Sequence, residues 1–299
     1  MEAIVLGSGA GGGVPQWNCR CPICEMARAG DPRVLPRTQS SLALSGDGEN
    51  WLLVNASPDI RQQFAETRSL HPRHGARHSP ISAVLLTNGD VDHVAGLLTL
   101  RESQPFKLYA TQSVREAVDA NRIFSVCNPD FVPRVPIVIG EAFEPVPGLR
   151  VELFTVPGKI ALWLEDETMK IGESTENTVG LEVTADGRRL LYIPGCAAVT
   201  PAVRERIRGA DVLLFDGTLW TDSEMIEAGL GTKTARRMGH VPLSGSDGSI
   251  AGLSDVPAGR RIFVHINNTN PILVEGSDER KSAEASGWEI GYDGMRIDL

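Results

Sequence analysis

The sequence predicts an α/β fold in which two mixed sheets pack face to face with helices outside, an αββα sandwich. Short apolar runs bounded by Gly, Pro, Asn or Asp recur along the whole chain, the mark of strands. Helical patterns with cap residues are spread through both halves, so neither half is all-β or all-helical. The early part is richer in consecutive strand runs, which suits two packed sheets. The same spacing also fits a doubly wound parallel sheet.

The elements follow in order. "EAIVLG" is the first strand, halted by the glycine run "GSGAGGG". "SLALS" and "WLLVN" come next, then the helical pattern "SPDIRQQFAETRSL" with Ser57 as N-cap. The strand "SAVLLT" runs into a polar turn and the helix "DHVAGLLTLRES"; "KLYA" leads into the helix "TQSVREAVDANRIF". "RVELFTV", "TVGLEV" and "RLLYIP" are three further strands, followed by the helix "TPAVRERIRGA" with Pro201 at its first position. "DVLLFD" and "RIFVHI" complete the strands. No linker of disordered composition, low-complexity tract or short-period repeat interrupts the chain, so residues 1–299 are expected to form a single domain.

Composition narrows the function. With 299 residues, 41% of them hydrophobic, the chain can bury a substantial core. A net charge of −9 speaks against a nucleic-acid partner, which would need a basic footprint. No apolar stretch approaches the ~20 residues of a spanning helix, and "MEAIVLGSGAGGGVP" lacks the basic and long apolar regions of a signal peptide. A cytoplasmic protein without membrane insertion is expected, with its five cysteines serving as thiols or metal ligands.

Two clusters carry chemistry. In "GVPQWNCRCPIC", Cys19, Cys21 and Cys24 sit on a Gly/Pro-rich loop that is poor core material. Three thiols so close can converge on one tetrahedral zinc, and a fourth ligand is expected from His240 in "RRMGHVPLS". Such a site is coordinatively full and would staple the N-terminal loop to a later part of the chain. The second cluster is "LLTNGDVDHVAGL", where an apolar strand ends in Asn88, Asp90, Asp92 and His93. Asp92 alone would cap the following helix. Capping does not call for three acidic or imidazole groups in four residues, so a metal site is the better reading. His265, near the polar end of the strand in "RRIFVHINNTNP", is the expected partner.

These residues resemble the metallo-β-lactamase superfamily. "LLTNGDVDHVAGL" is similar to its HxHxDH signature, with Asn88 and Asp90 at the first two histidine positions and Asp92 and His93 kept, and "FVHIN" resembles its late histidine motif. "VPGKIALW" offers Lys159 where the superfamily supplies another histidine, and "LYIPGCA" offers Gly195 and Cys196 in place of the metal-bridging aspartate. The wider set "LGSGAGGGVPQWNCRCPIC", "RTQSSLAL", "NASPDIRQQ", "LLFDGTLWTDSEM", "MGHVPLSGSDGS" and "GWEIGYDGMRIDL" resembles, from first strand to last residue, a family serving the biosynthesis of pyrroloquinoline quinone (PQQ). The cysteine motif is also similar to that of a phosphodiesterase branch with a structural zinc on CxCxxC plus a distant histidine, which implies the Cys19, Cys21, Cys24 and His240 set.

The resemblance implies the metallo-β-lactamase form of the sandwich. The departures imply one active-site metal in place of two, since the extra histidines and the bridging carboxylate are missing. Asp92, His93 and His265 form a two-imidazole, one-carboxylate set suited to iron(II), with zinc or another divalent ion also compatible. Asp90 is expected to add a ligand or orient one, Asn88 to hydrogen-bond substrate or oxygen, and Lys159 to repel a second cation and attract a substrate carboxylate. The implied activity is iron-dependent hydroxylation of the tyrosine ring of a cross-linked Glu-Tyr precursor in PQQ biosynthesis, with other pathway proteins as partners. Carriage of PQQ or its precursor toward the periplasm is the alternative, and a zinc hydrolase ranks last. Asp216 either reaches the site or caps a turn, Cys196 either faces the pocket or fills the core, and Cys127 is structural. The glycine run is not followed by an amphipathic helix, so it serves close backbone turns rather than a dinucleotide.

Overall fold

The computed structural model describes residues 1–165 and 171–299. Its strands are β1 (Glu2–Gly7), β2 (Ser41–Ser45), β3 (Trp51–Val54), β4 (Ile81–Leu85), β5 (Lys107–Ala110), β6 (Arg134–Pro136), β7 (Phe143–Val146), β8 (Leu149–Gly158), β9 (Glu173–Ala185), β10 (Arg188–Ile193), β11 (Val212–Asp216), β12 (Arg260–Val264), β13 (Trp288–Ile290) and β14 (Met295–Asp298). The α-helices are α1 (Pro22–Arg28), α2 (Ile60–Glu66), α3 (Val91–Val94), α4 (Gln112–Asp119), α5 (Pro201–Ile207), α6 (Glu224–Glu227), α7 (Ser249–Gly252) and α8 (Asp278–Ala285).

Two seven-stranded sheets result, ordered β14-β1-β2-β3-β4-β5-β6 and β13-β12-β11-β10-β9-β8-β7. Both are mixed: β3 to β6 run parallel, as do β10 to β13, while β1, β2, β8 and β9 pair antiparallel. This is the expected αββα sandwich, and a single doubly wound sheet is ruled out.

The strands are apolar on both faces because each sheet packs on both sides. In β1, Ala3 and Val5 face the middle layer, where Leu44, Val54 and Leu85 meet Leu153, Leu181, Leu190 and Leu214 of the other sheet. Ile4 faces outward with Leu53 and Val84, against Val114 and Val118 of α4. On the far side Leu191, Leu213 and Phe215 pack with Val203 and Ile207 of α5. Each such fully buried side chain contributes about 1.5–3 kcal/mol.

Helix starts follow local chemistry. Thr111 and Thr200 cap α4 and α5 by accepting from Val114 N and Val203 N, and Pro201 takes the first position of α5, as expected. Ser57 does not cap α2. Its hydroxyl accepts from Asp59 N at 3.3 Å and closes a turn before the helix, and the cap position falls to Asp59. The helix expected from Asp92 onward is short: α3 ends at Val94 and a 3-10 turn follows over Ala95–Leu98. Gly96 lies so close to the preceding loop that a Cβ would stand 2.2 Å from Ser57 O. No described helix is long and apolar enough to cross a membrane.

The carboxyl ends of the parallel strands position the chemistry, as they commonly do in α/β sheets. β4 delivers the loop carrying Asn88 to His93, β11 delivers Asp216 and Thr218, and β12 delivers His265.

Candidate metal centre

Asp92, His93 and His265 meet in one cleft of about 650 Å³. Asp92 Oδ2 lies 3.1 Å from His265 Nε2 and 3.8 Å from His93 Nε2. Capping does not explain Asp92: the N-cap of α3 is Asp90, and Asp92 lies inside the helix.

Hydrogen bonds select the ring tautomers. His93 Nδ1 donates to Asn88 Oδ1 at 2.6 Å, which leaves Nε2 as a lone pair. That Nε2 is buried and has no hydrogen-bond partner. His265 Nδ1 pairs with Thr218 Oγ1 at 2.9 Å, and its Nε2 bonds Asp92 Oδ2 at 3.1 Å, a contact in which an ion can replace the proton. A cation placed among Asp92 Oδ2 and the two Nε2 atoms would take over from the His265–Asp92 bond and give His93 Nε2 the partner it lacks.

The electrostatics agree. Burial works against the Asp92 carboxylate, but His93 and His265 outweigh it and hold its pKa below the usual range. Burial pushes His93 down and keeps it neutral, as a ligand must be. Burial also opposes the charged form of His265, yet the bond and charge of Asp92 raise it overall. The backbone at His265 has a positive φ of 56°, uncommon for a residue other than glycine and held here by the contacts of the imidazole.

A second network lies behind the first. Asp216, fully buried, accepts from Cys196 N at 2.9 Å, Thr218 N at 3.1 Å, Thr218 Oγ1 at 2.6 Å and His240 Nδ1 at 2.8 Å. The His240 ring stacks on His265, with centroids 5.2 Å apart. Asp216, His240 and His265 are close enough to hold an ion, but the direct Asp216–His240 bond makes this pair a carboxylate-oriented histidine. Nε2 is the nitrogen His240 has left for the cleft, which it lines.

Several expectations are corrected by this geometry. His240 does not complete the cysteine site, because its Nδ1 is bonded to Asp216 and its ring is stacked on His265. Asp90 does not join the converging donors; its carboxylate pairs with Lys159 Nζ at 3.7 Å. The carbonyl oxygen of Asn88 is turned to His93 and to Asp90 N, so it orients a histidine, and the residue also lines the cleft. Lys159 is no ordinary surface lysine, for it lines the cleft between Asp90 and Glu165.

The remaining residues also find places. Asp216 reaches the site. Cys196 is buried, its thiol bonded to Ala198 O and pushed up to about 12 by burial and by Asp216, which makes it unreactive. Cys127 is buried and bonds Leu97 O, a structural thiol as expected. Ala10, Gly11 and Gly12 of the glycine run line the cleft. Gly9 is needed beneath them, since a Cβ there would stand 3.0 Å from Thr38 O.

The three cysteines do converge. Asn268 lies across them, its Nδ2 3.2 Å from Cys19 Sγ, 3.3 Å from Cys24 Sγ and 3.6 Å from Cys21 Sγ. Residues that the sequence reading did not single out include Thr218, Asn268, Glu165 and Lys233. Thr218 had the signal of a polar side chain just past a strand end, whereas Lys233 and Glu165 carried none.

Comparison with known proteins follows from this geometry. The family described as "Beta-lactamase superfamily domain" matches residues 50–266. The coenzyme PQQ synthesis protein B of Methylobacterium nodulans is 67% identical over 299 residues, all of both chains. The chain belongs to the coenzyme PQQ synthesis protein B family. Another family member, from Rhizobium meliloti, is 54% identical over 100% of this chain and 98% of its own. The crystal structure of zinc-bound PqqB from Methylobacterium extorquens superposes with a TM-score of 0.99 at 63% identity, covering 100% of both chains. A diphosphatase from the PhnP family, 21% identical, shares the fold with a TM-score of 0.70 over 100% of this chain and 97% of its own. Membership assigns the chain to PQQ biosynthesis.

Proposed function

We propose that this chain is an iron(II)-dependent hydroxylase of PQQ biosynthesis, adding oxygen to the tyrosine ring of the cross-linked Glu-Tyr precursor. The observation that carries the reading is the buried, partnerless His93 Nε2 facing Asp92 and His265 Nε2, a donor set that fits one divalent cation. Asp92, His93 and His265 would hold the iron, which would supply the dioxygen chemistry. Asn88 and Thr218 hold the two imidazoles in the ligating tautomer. His240, oriented by Asp216, is the acid–base group for the phenol and ring protons. Lys159 keeps a positive charge where a second cation would sit, which separates this site from a dinuclear hydrolase.

The reading gives the Cys19, Cys21 and Cys24 group a structural zinc, with Asn268 in place of His240 on the fourth side. It places the reaction in the cytoplasm, where these thiols stay reduced, and leaves precursor handover to other proteins of the pathway.

The test is mass spectrometry of a Glu-Tyr substrate incubated with iron-loaded protein, oxygen and an external reductant. A product heavier by one or two oxygens supports hydroxylation, and His265→Ala should lose one iron, keep the zinc and form no product. An unchanged mass with several reductants, together with tight PQQ binding that survives Asp92→Ala and His93→Ala, overturns the hydroxylase in favour of a carrier.

A further inference from the structure

One wall of the cleft carries an alternating row of charges that metal binding does not use. Lys159 Nζ stands 3.7 Å from Asp90 Oδ2 and 3.3 Å from Glu165 Oε1, and Lys233 Nζ stands 2.6 Å from Glu165 Oε2. The row joins three separate segments: the turn after β4, the chain after β8 and the loop after α6. Lys159 is built into the wall, its side chain only 11% exposed. Its stem passes over Gly239, where a Cβ would stand 3.1 Å from Lys159 Cγ. Any other residue at this left-handed position, φ 87°, would push the ammonium away.

Glu165 is held less well than its charge demands. Its Oε1 is buried without a hydrogen bond, because the Lys159 nitrogen is near enough for an ion pair but off the line for a donor. A buried carboxylate oxygen in that state has the ion pair but lacks the hydrogen bonds it would make in water. The rest of the lining is largely apolar and glycine-rich, with Val91, Met225 and Met238 beside Gly11, Gly12 and Gly231. Two ammonium groups therefore line this wall of the cleft and, among the described residues, share the incompletely bonded Glu165, with Asp90 beside Lys159.

We propose that Lys159 and Lys233 form a subsite for a substrate carboxylate, and that Glu165 is its internal stand-in, displaced when the substrate enters. The inference rests on the reading of the cleft as a site for a Glu-Tyr compound, which carries free carboxylates, and it names the groups that select them. The incoming carboxylate takes over the Lys233 bond from Glu165 and turns the misaligned Lys159 contact into a hydrogen bond. A neutral analogue gains nothing from the exchange, because Glu165 keeps both lysines.

The test is anaerobic titration calorimetry of the full metal-loaded chain with two probes, the dipeptide Glu-Tyr and the carboxylate-free Gln-Tyr-amide. Lys159→Met and Lys233→Met should each weaken Glu-Tyr binding roughly tenfold, the scale of one charged hydrogen bond. Glu165→Gln should tighten it by a similar factor, since the competing anion is gone. Gln-Tyr-amide binding should be unchanged in all three. Equal weakening of both probes, Glu-Tyr binding no tighter in Glu165→Gln, or no discrimination between the probes by the parent chain overturns the subsite. The readout needs no turnover: carboxylate selection without oxygenated product leaves the subsite standing and removes the hydroxylase, and the converse result does the reverse.

Discussion

Asp216→Asn isolates the network behind the metal donors. The Asp216 oxygens accept in pairs, one from Cys196 N and His240 Nδ1, the other from Thr218 N and Oγ1. Asparagine offers one oxygen and one NH₂ of nearly the same shape. In either orientation the NH₂ meets a fixed backbone N–H, that of Cys196 or that of Thr218, which then has no acceptor. An orphaned buried donor costs about 1–3 kcal/mol, and charged hydrogen bonds worth about 1.5–3 kcal/mol each become neutral. Burying a neutral group where a charge stood recovers part of this. The net expectation is a loss of about 2 kcal/mol, read as a lower urea midpoint at unchanged slope. When the NH₂ faces Cys196 N it also faces His240 Nδ1, and in that orientation the ring should move to the Nε2–H tautomer, visible in long-range ¹H–¹⁵N spectra. A loss under about 0.5 kcal/mol with the tautomer unchanged would refute the role given to Asp216.

Other expectations follow from the same geometry. Thr218→Val keeps the shape but removes the acceptor for His265 Nδ1, so active-site metal affinity should fall about 10–100-fold, measured by competition with a chelator; Asn88→Ala should do the same through His93. Metal stabilisation should grow with pH. His265 sits above its ordinary value, so its pairing with Asp92 in the metal-free protein contributes fully below about pH 6.5 and is lost as pH rises through the raised pKa. The ion needs the imidazole unprotonated. The Tm difference between metal-loaded and chelated protein should therefore widen from pH 5 to 8, and a constant difference would count against His265 as a ligand. Cys24→Ser should release one zinc, seen by metal analysis, and lower the Tm while leaving one active-site iron in place.

What the sequence disclosed depended on how local each signal was. Most interior strands were legible because both faces are buried and the run is continuously apolar, as in "DVLLFD", whereas β8 showed by its alternation with Arg150 and Glu152. The strands that escaped, β6, β7, β13 and β14, are the four sheet edges. They are three or four residues long, and β6 and β7 contain Pro136 and Pro145, which edges tolerate. Asp92 and His93 were legible as neighbours on one turn, and His265 as a polar break in an apolar strand. His240 was misassigned because nothing in spacing tells whether a distant histidine returns to the cysteines or to the cleft. Asn268 took the place expected for it, next to His265 in sequence but turned to the opposite site.

The left-handed backbone at His265 sets the peptide chain against its own side chain. A non-glycine residue there carries of the order of 1–3 kcal/mol of conformational penalty, maintained where β12 ends and the chain must turn toward Asp92. Glycine at this point would relax the main chain but leave Thr218 and Asp92 without the imidazole they bond and open a gap beside His93 and His240. The ease of the main chain and the contacts of the side chain thus pull in opposite directions at a single residue, and the contacts hold the backbone where it is.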